Sequence, residues 1–306
     1  LDDRTLISFV QLDEHIHAVV IDQTSSRLFA TARKPEVIDT AAQLRFAAER
    51  IARPATSDAS RIAAMESATA SAQLLGQLLI EPMQLNTSKV VVLPTGALHE
   101  VPWSLVVDRP VELAPSATSW LRAKEQSARK GDLLVVPGPG LEHAAAEAQH
   151  IATTNQATVA ATITETLHGL ATARAAHFAC HARARADNPM FSSLVLADGE
   201  INLHDIERLP QVPDRVVLAA CSGGDTVLTA GDEVLSLAGS FLALGARTVL
   251  APLFAVSDFA TNELMRRLYE LVGEEMDVST ALQSIRNSAG VEVAFTAGSF
   301  LCFGVG

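Results

Sequence analysis

The alternation of hydrophobic and polar positions over the first thirty residues predicts a β-meander. Runs rich in β-branched and aromatic residues cover residues 6–12, 15–21 and 27–30, with turn-like polar residues between them. From residue 36 to about residue 85 the apolar positions recur at i, i+3 and i+4, which predicts helices. The segment around Pro54 divides this region into two helices, and Ser57 or Asp58 is a suitable N-cap for the second.

The rest of the chain predicts a mostly parallel α/β sheet with helices on both faces. The apolar run at residues 89–94 is typical of a buried strand, and strand and helix patterns alternate after residue 131. The predicted strands of this part are residues 133–137, 158–161, 175–181, 192–196, 215–221, 248–254 and 299–303. The polar, basic segment 120–131 is the best boundary, so we expect two lobes, 1–128 and 129–306.

Composition narrows the class of protein. Apolar residues make up 48% of the 306-residue chain and charged residues 19%, which allows a large core and excludes global disorder. The net charge of −12 argues against binding to a phosphate backbone, so no nucleic-acid partner is expected. No apolar run is long enough for a membrane span and no signal peptide opens the chain.

The cysteine content bears on the compartment. Three cysteines are too few, and odd in number, for a disulfide framework, so we expect a cytoplasmic protein. Because the chain starts at Leu1, we expect it to be a piece of a longer protein.

Two reactive side chains stand where predicted strands end, His181 in one strand and Cys221 in another. Functional groups of parallel sheets collect at the carboxyl ends of strands, so we expect the imidazole and the thiol at one edge. A neighbouring imidazole can take the proton of a thiol, which is what cysteine nucleophilic catalysis requires. The small residues 222–224 leave room for a substrate backbone and for N–H groups that could hold an oxyanion.

The surroundings of these residues resemble a known family. Ala220-Cys221-Ser222-Gly223 keeps the Ala, Cys and Gly of the caspase signature, and His181 precedes Cys221 by 40 residues, near the spacing of about 50 in caspases. Further blocks are similar to CHAT domains, which are caspase-like cysteine peptidases related to separase. These blocks are residues 93–103, 177–181, 193–199, 218–221 and 241–247.

The resemblance implies a caspase-like fold whose N-terminal lobe is a degenerate, pseudo-protease half. It further implies a cysteine endopeptidase that uses His181 as general base and Cys221 as nucleophile, with the N–H groups of Ala182 and Cys221 in the oxyanion hole. Neither a cofactor nor a metal is expected. CHAT domains are commonly fused behind helical repeats, so we expect an upstream sensor region or a protein partner to gate cleavage of a protein substrate, in bacterial defence or signalling.

The chain departs from the family pattern at two places. Ala182 stands where the family usually has glycine after the catalytic histidine, and residues 222–224 are Ser-Gly-Gly where it usually has Glu-Thr-Gly. The alternative hypothesis is therefore a catalytically inactive CHAT-like module that serves as a docking scaffold.

Acidic residues near the nucleophile predict the substrate preference. Residues 222–236 contain no Lys or Arg but contain Asp225, Asp232 and Glu233, which are candidate walls of the S1 pocket. Carboxylates there would favour Lys or Arg over Asp at P1. Alternatively, Asp232 and Glu233 stabilise the N-terminus of a helix that begins near them.

The remaining candidates fit structural roles better. Cys180 and Cys302 lie in apolar runs and are predicted core residues, and His177 is predicted to be structural. A zinc site at His177, Cys180 and His181 lacks further ligands, because alternation sends Cys180 to the opposite face from both histidines. The sequence Gly138-Pro139-Gly140 lacks the Lys-Ser/Thr of a phosphate loop, and His99 has no thiol near it in sequence.

Overall fold

The structure is a computed structural model of the chain. It describes residues 1–53, 56–183, 185, 188–219, 230–272 and 276–306, and of residues 189 and 230–236 the backbone alone.

The chain begins with the predicted meander. Strands β1 (Arg4–Leu12), β2 (His15–Ile21) and β3 (Ser26–Arg33) pair antiparallel in sequence order. Helices α1 (Lys34–Ala52) and α2 (Asp58–Leu79) follow, as the change of period predicts. Ser57 is the N-cap of α2, and its hydroxyl accepts a hydrogen bond from the N–H of Ser60.

The first half ends with short elements around two more strands. These are β4 (Lys89–Leu93), α3 (Trp103–Val106), β5 (Val111–Leu113) and α4 (Ala117–Glu125), with 3₁₀ turns at Glu81–Met83 and Gly96–Glu100. Trp120 of α4 is fully buried and donates its indole N–H to Glu112 over 2.8 Å. The division into lobes 1–128 and 129–306 stays a prediction.

The second half alternates strands and helices as expected. Its strands are β6 (Leu133–Pro137), β7 (Thr158–Val159), β8 (Ala175–Ala179), β9 (Ala182–Arg183), β10 (Ser193–Leu196), β11 (Gly199–Asn202), β12 (Arg215–Leu218), β13 (Thr248–Pro252) and β14 (Phe300–Gly304). Its helices are α5 (Ala144–Asn155), α6 (Ile163–Leu170), α7 (Leu203–Glu207), α8 (Ala230–Ala243), α9 (Asp258–Leu271), α10 (Val278–Ser288) and α11 (Val291–Ser299), and a 3₁₀ turn covers Pro189–Phe191.

Eleven strands of the described residues form one sheet that runs through both halves. Their order is β3-β2-β1-β4-β5-β14-β13-β12-β8-β6-β7. Strands β1, β4, β5 and β14 are parallel to one another, and so are β13, β12, β8, β6 and β7, but β13 and β14 pair antiparallel. The sheet therefore contains two parallel blocks whose carboxyl ends lie at opposite edges.

The structure corrects one part of the strand prediction. The apolar run 192–196 does not join the parallel sheet, because β10 pairs antiparallel with β9 and β11 in a separate three-stranded sheet. Its apolar residues Leu194 and Leu196 are buried nonetheless. A buried apolar run is common to both arrangements, so the sequence pattern did not distinguish them.

Helices cover both faces of the large sheet, as predicted. On one face, Phe241 of α8 packs in the cluster that contains Phe178 of β8. On the other, Ile151 of α5 and Leu264 of α9 pack in the cluster that contains Val217 of β12. This cover gives β6, β8, β12 and β13 a buried environment on both sides, which explains their continuous apolar sequences, whereas the short strand β7 at the end of the sheet is exposed.

Polar contacts join the two halves across the β5–β14 pairing. Arg286 of α10 donates to the carbonyls of Ser104 and Val107, and its other terminal nitrogen lies 2.7 Å from a carboxylate oxygen of Asp108. The ammonium of Lys89 pairs with Asp277. Burial raises the pKa of Asp277, but hydrogen bonds from Lys89, Thr280 and Ser279 outweigh that effect and lower it to about 2.

Among the helices of the described residues, none has both the length and the apolar character that a membrane crossing needs.

Candidate active site

His181 lies at the carboxyl end of β8, where the chain leaves the large sheet. The backbone carbonyl of His181 accepts a hydrogen bond of 2.9 Å from the N–H of Val195 in β10, and the next two residues form β9. The side chain of His181 is half-buried. The position agrees with the sequence expectation that this imidazole stands at a strand end.

A glycine loop that the sequence analysis assigned no role lies against His181. Gly138 and Gly140 follow β6, which pairs with β8, and the N–H of Gly138 donates to the carbonyl of Ala179 over 2.8 Å. A Cβ on Gly140, whose φ is +82°, would lie 3.1 Å from Nε2 of His181. A Cβ on Gly138 would lie 2.3 Å from Cβ of Cys180. Close approach to the β8 end therefore requires glycine at 138, and the positive φ of Gly140 favours glycine where the loop meets His181.

Cys221 lies outside the described residues, but the strand before it is well defined. Strand β12 pairs parallel with β8, and every pair is 40 residues apart along the chain, as Leu218 and Phe178 are. The N–H of Ala219 still donates to the carbonyl of Phe178 over 3.0 Å. Strand β12 thus ends three residues before Cys221, beside β8, which ends two residues before His181.

Ala182, the proposed oxyanion residue, sits in regular antiparallel pairing. It is paired with Leu194, and the bond from the Val195 N–H to the His181 carbonyl makes this a non-hydrogen-bonded pair. In such a pair the N–H of each residue points away from the partner strand. The N–H of Ala182 therefore points away from β10, in an extended conformation that does not require glycine.

The S1 candidates are only partly covered by the structure. Asp225 lies outside the described residues. Asp232 and Glu233 are the third and fourth residues of α8, of which the structure describes the backbone there. Their place in the first turn is the one that the helix-terminus interpretation requires, and the pocket interpretation stays a prediction.

The other two cysteines are core residues, as predicted. Cys180 and Cys302 are both 0% exposed. Burial raises the pKa of the Cys180 thiol to about 12 and that of Cys302 well above its usual value. Since the thiolate is the nucleophilic form, neither cysteine is suited to attack a substrate at neutral pH.

His177 has the structural environment that its position predicts. It is fully buried on the face of the sheet opposite to Cys180, and its Nε2 lies 2.7 Å from Oε1 of Glu147 in α5. The ring of Tyr269 in α9 contacts it edge-on, with centroids 5.3 Å apart. Among the residues that the structure describes, no three His, Cys, Asp or Glu side chains are grouped as a metal site would need.

Three comparisons with known proteins bear on this site. The family model of the CHAT domain matches residues 69–290. The comparison with curated proteins found no match. Among solved structures, the Saccharomyces cerevisiae separase–securin complex matches in two crystal structures, each with 9% identity, covering 99% of this chain and 30% of that chain, with TM-scores of 0.68 and 0.64.

A third structure, the complex of the pro- and mature domains of Porphyromonas gingivalis RgpB, has a TM-score of 0.48 and 11% identity, and covers 90% of this chain and 77% of that chain. The separase likeness shows a shared fold. The chain spans less than a third of the separase chain that it matches.

Proposed function

Since the chain belongs to the CHAT domain family, we propose that it is a cysteine endopeptidase in which His181 and Cys221 form the catalytic dyad. The observation that carries the proposal is the register of β8 and β12. Paired residues of the two strands differ by 40 in residue number, and His181 and Cys221 differ by the same number. Continuing the ladder by three residues past Leu218 and Phe178 would put His181 beside Cys221 on one face.

The proposed reaction follows from these groups. The imidazole of His181 takes the proton of the Cys221 thiol, and the sulfur forms a bond to the carbonyl carbon of the scissile peptide. The resulting oxyanion accepts hydrogen bonds from the N–H groups of Ala182 and Cys221. The C–N bond then breaks, and the imidazolium gives its proton to the leaving amine. Water, deprotonated by His181, releases the acyl group and restores the thiol.

The orientation of Ala182 supports its part in this reaction. Its N–H points away from β10 and is not used in the pairing of β9 with β10. The glycine loop supports the part of His181, because Gly138 and Gly140 let β6 and its loop approach the β8 end without displacing the imidazole.

The first lobe, residues 1–128, is proposed to be a degenerate caspase-like half. It supplies a parallel block of strands whose carboxyl ends lie at the edge opposite to His181, and it contains no cysteine. This lobe would complete the sheet rather than the catalytic machinery.

The substrate is proposed to be a protein cleaved after Lys or Arg, because Asp225, Asp232 and Glu233 supply negative charge near the nucleophile. Fluorogenic peptides that differ only at P1 test this, and preferential cleavage after Asp would overturn it. The separase structures contain securin, a protein partner; we propose that a partner or a sensor region likewise gates this chain.

The dyad is tested by covalent labelling with a peptidyl chloromethylketone that carries P1 Lys. We expect mass spectrometry to find the adduct on Cys221, with Cys180 and Cys302 as internal controls because both are buried. Cys221→Ala and His181→Ala should each abolish labelling and cleavage, whereas His204→Ala, at an exposed histidine, should not. No adduct with any P1 residue, even with partners present, would favour the inactive scaffold.

A further inference from the structure

Two adjoining cavities open at the edge of the sheet opposite to His181. The first has a volume of about 370 Å³ and an apolar floor that includes Leu113, Leu242 and Phe303. The second has a volume of about 390 Å³ and is lined in part by Trp120 and Ala246. Ala114, Pro115, Gly239 and Leu242 line both cavities and form the ridge between them.

The sheet topology explains why a binding site can exist here. The cavities lie past the carboxyl ends of β4, β5 and β14, next to the antiparallel pairing of β14 with β13. Ligands of open α/β sheets bind in crevices outside the carboxyl ends of strands. This edge has that property independently of the edge where His181 lies.

Gly239 lies on the ridge between the two cavities. It lies inside α8, where glycine costs about 1 kcal/mol relative to alanine. No atom comes within 4 Å of a Cβ built on it, and it is not among the glycines with positive φ. Neither packing nor backbone conformation therefore requires glycine at this position. The space above Gly239 is open, so that a ligand backbone could cross the ridge there, whereas a large side chain at this position would fill it.

We propose that the two cavities bind an extended peptide segment of a protein partner through two apolar side chains, one in each cavity. Each volume accommodates a large side chain, and the small residues of the ridge admit the backbone between them. Each cavity also has a charged lining residue: Glu100, paired with Arg45 at 2.9 Å, lines the first cavity, and Arg122 lines the second. An acidic residue of the peptide would pair with Arg122.

The site is connected to the proposed nucleophile through α8, and this step rests on the proposed function. Leu242 and Gly239 stand near the C-terminal end of α8, and the N-terminal end of that helix follows the segment that contains Cys221. At 1.5 Å per residue the 14 residues of α8 span about 21 Å, so in this proposal the helix links the cavities to the segment that contains Cys221. Peptide binding would therefore change the rate at which Cys221 reacts.

The binding test needs no catalytic activity. A phage-displayed library of random heptapeptides is selected on the full chain with Gly239→Ala, in which the cavities stay open, and counter-selected on Gly239→Trp, in which the indole fills them. We expect peptides with two apolar residues and an acidic residue. They should bind wild type and Gly239→Ala within twofold of each other, Gly239→Trp at least tenfold more weakly, and Arg122→Glu at least threefold more weakly.

Gly239→Leu, a smaller filling variant, is measured beside Gly239→Trp, and circular dichroism checks that both fold. If no selected peptide distinguishes Gly239→Ala from the filled variants, the proposal is wrong. It is also wrong if the cavities take only a small apolar dye such as bis-ANS. If peptides bind but the rate of chloromethylketone labelling of Cys221 does not change, the binding site is supported and its coupling to Cys221 through α8 is rejected. Absence of labelling under all conditions would reject the peptidase and leave the binding result standing.

Discussion

At one edge of the central sheet β8 leads to His181 and β12 leads to Cys221. At the opposite edge β4 leads to the 3₁₀ turn that carries His99, and β5 ends at Leu113. Both edges collect the carboxyl ends of parallel strands. The first block brings an imidazole to its edge without an accessible thiol, because residues 1–128 contain no cysteine and Cys302 of β14 is fully buried. Topology thus supplies two equivalent places for a site, and side chains decide which of them can carry chemistry.

The two halves of the chain, residues 1–131 and 132–306, depend on each other for stability, and separating them has the largest expected effect. A fragment 132–306 would expose β14 as an edge strand, and Arg286 would lose its acceptors Ser104 and Val107. We expect it to be insoluble or unfolded when expressed alone, as judged by circular dichroism. Co-expression of residues 1–131 is the control and should restore solubility. A folded, fully active 132–306 fragment would contradict the prediction.

Matched glycine substitutions at the two edges separate catalysis from stability. Gly140 and Gly96 both have positive φ, +82° and +54°, and each follows a strand. Alanine at either position should cost about 1–2 kcal/mol of stability because of the left-handed backbone. Gly140→Ala also places a methyl group against His181. In this variant the rate at which the chloromethylketone alkylates Cys221 should therefore fall at least tenfold. Equal rates for the two variants would remove the positioning role of Gly140.

The buried histidine of β8 offers a contrast with His181 on the same strand. Glu147→Ala removes the carboxylate that lies 2.7 Å from Nε2 of His177 and leaves that buried nitrogen without its partner. We expect a loss of about 1–3 kcal/mol in the free energy of unfolding, measured by urea denaturation. Glu207→Ala, which removes the exposed partner of His204, is the control and should change stability by less than about 1 kcal/mol.

Local sequence patterns predicted where strands end, but they did not predict contacts between residues far apart in the chain. The apolar run before His181 and the one before Cys221 define buried strands, so the placement of His181 at a sheet edge followed from the sequence. The pairing of β10 with β9 and β11 did not follow from the sequence, since an apolar run can be buried equally well in either sheet. In the sequence, Gly138 and Gly140 were compared only with a phosphate loop, which they do not match. Their contacts with Cys180 and His181 join positions about 40 residues apart, which a local pattern does not predict.

The smallest expected effect is a pH-dependent one at the junction of the two blocks. Asp277 has a pKa of about 2 in the folded chain, against an ordinary value of 3.8, because Lys89, Thr280 and Ser279 donate to it. A carboxyl group whose pKa is lowered on folding stabilises the protein above its unfolded pKa. The contribution of Asp277 is therefore full above about pH 4 and is lost as the pH falls toward 2. Because Asp277 is partly exposed, we expect about 1–2 kcal/mol.

Asp277→Asn isolates that charge, because the amide oxygen can still accept the hydrogen bond by which Asp277 caps α10. The difference in urea midpoint between wild type and Asp277→Asn should be largest above pH 4 and should shrink toward pH 2. Lys89→Met should reduce the difference at neutral pH, since it removes the ammonium group that pairs with Asp277 from the first block. If the difference in urea midpoint does not change with pH, Asp277 acts only as the N-cap of α10. The contacts of Arg286 and the β5–β14 pairing would then be what holds the two halves together.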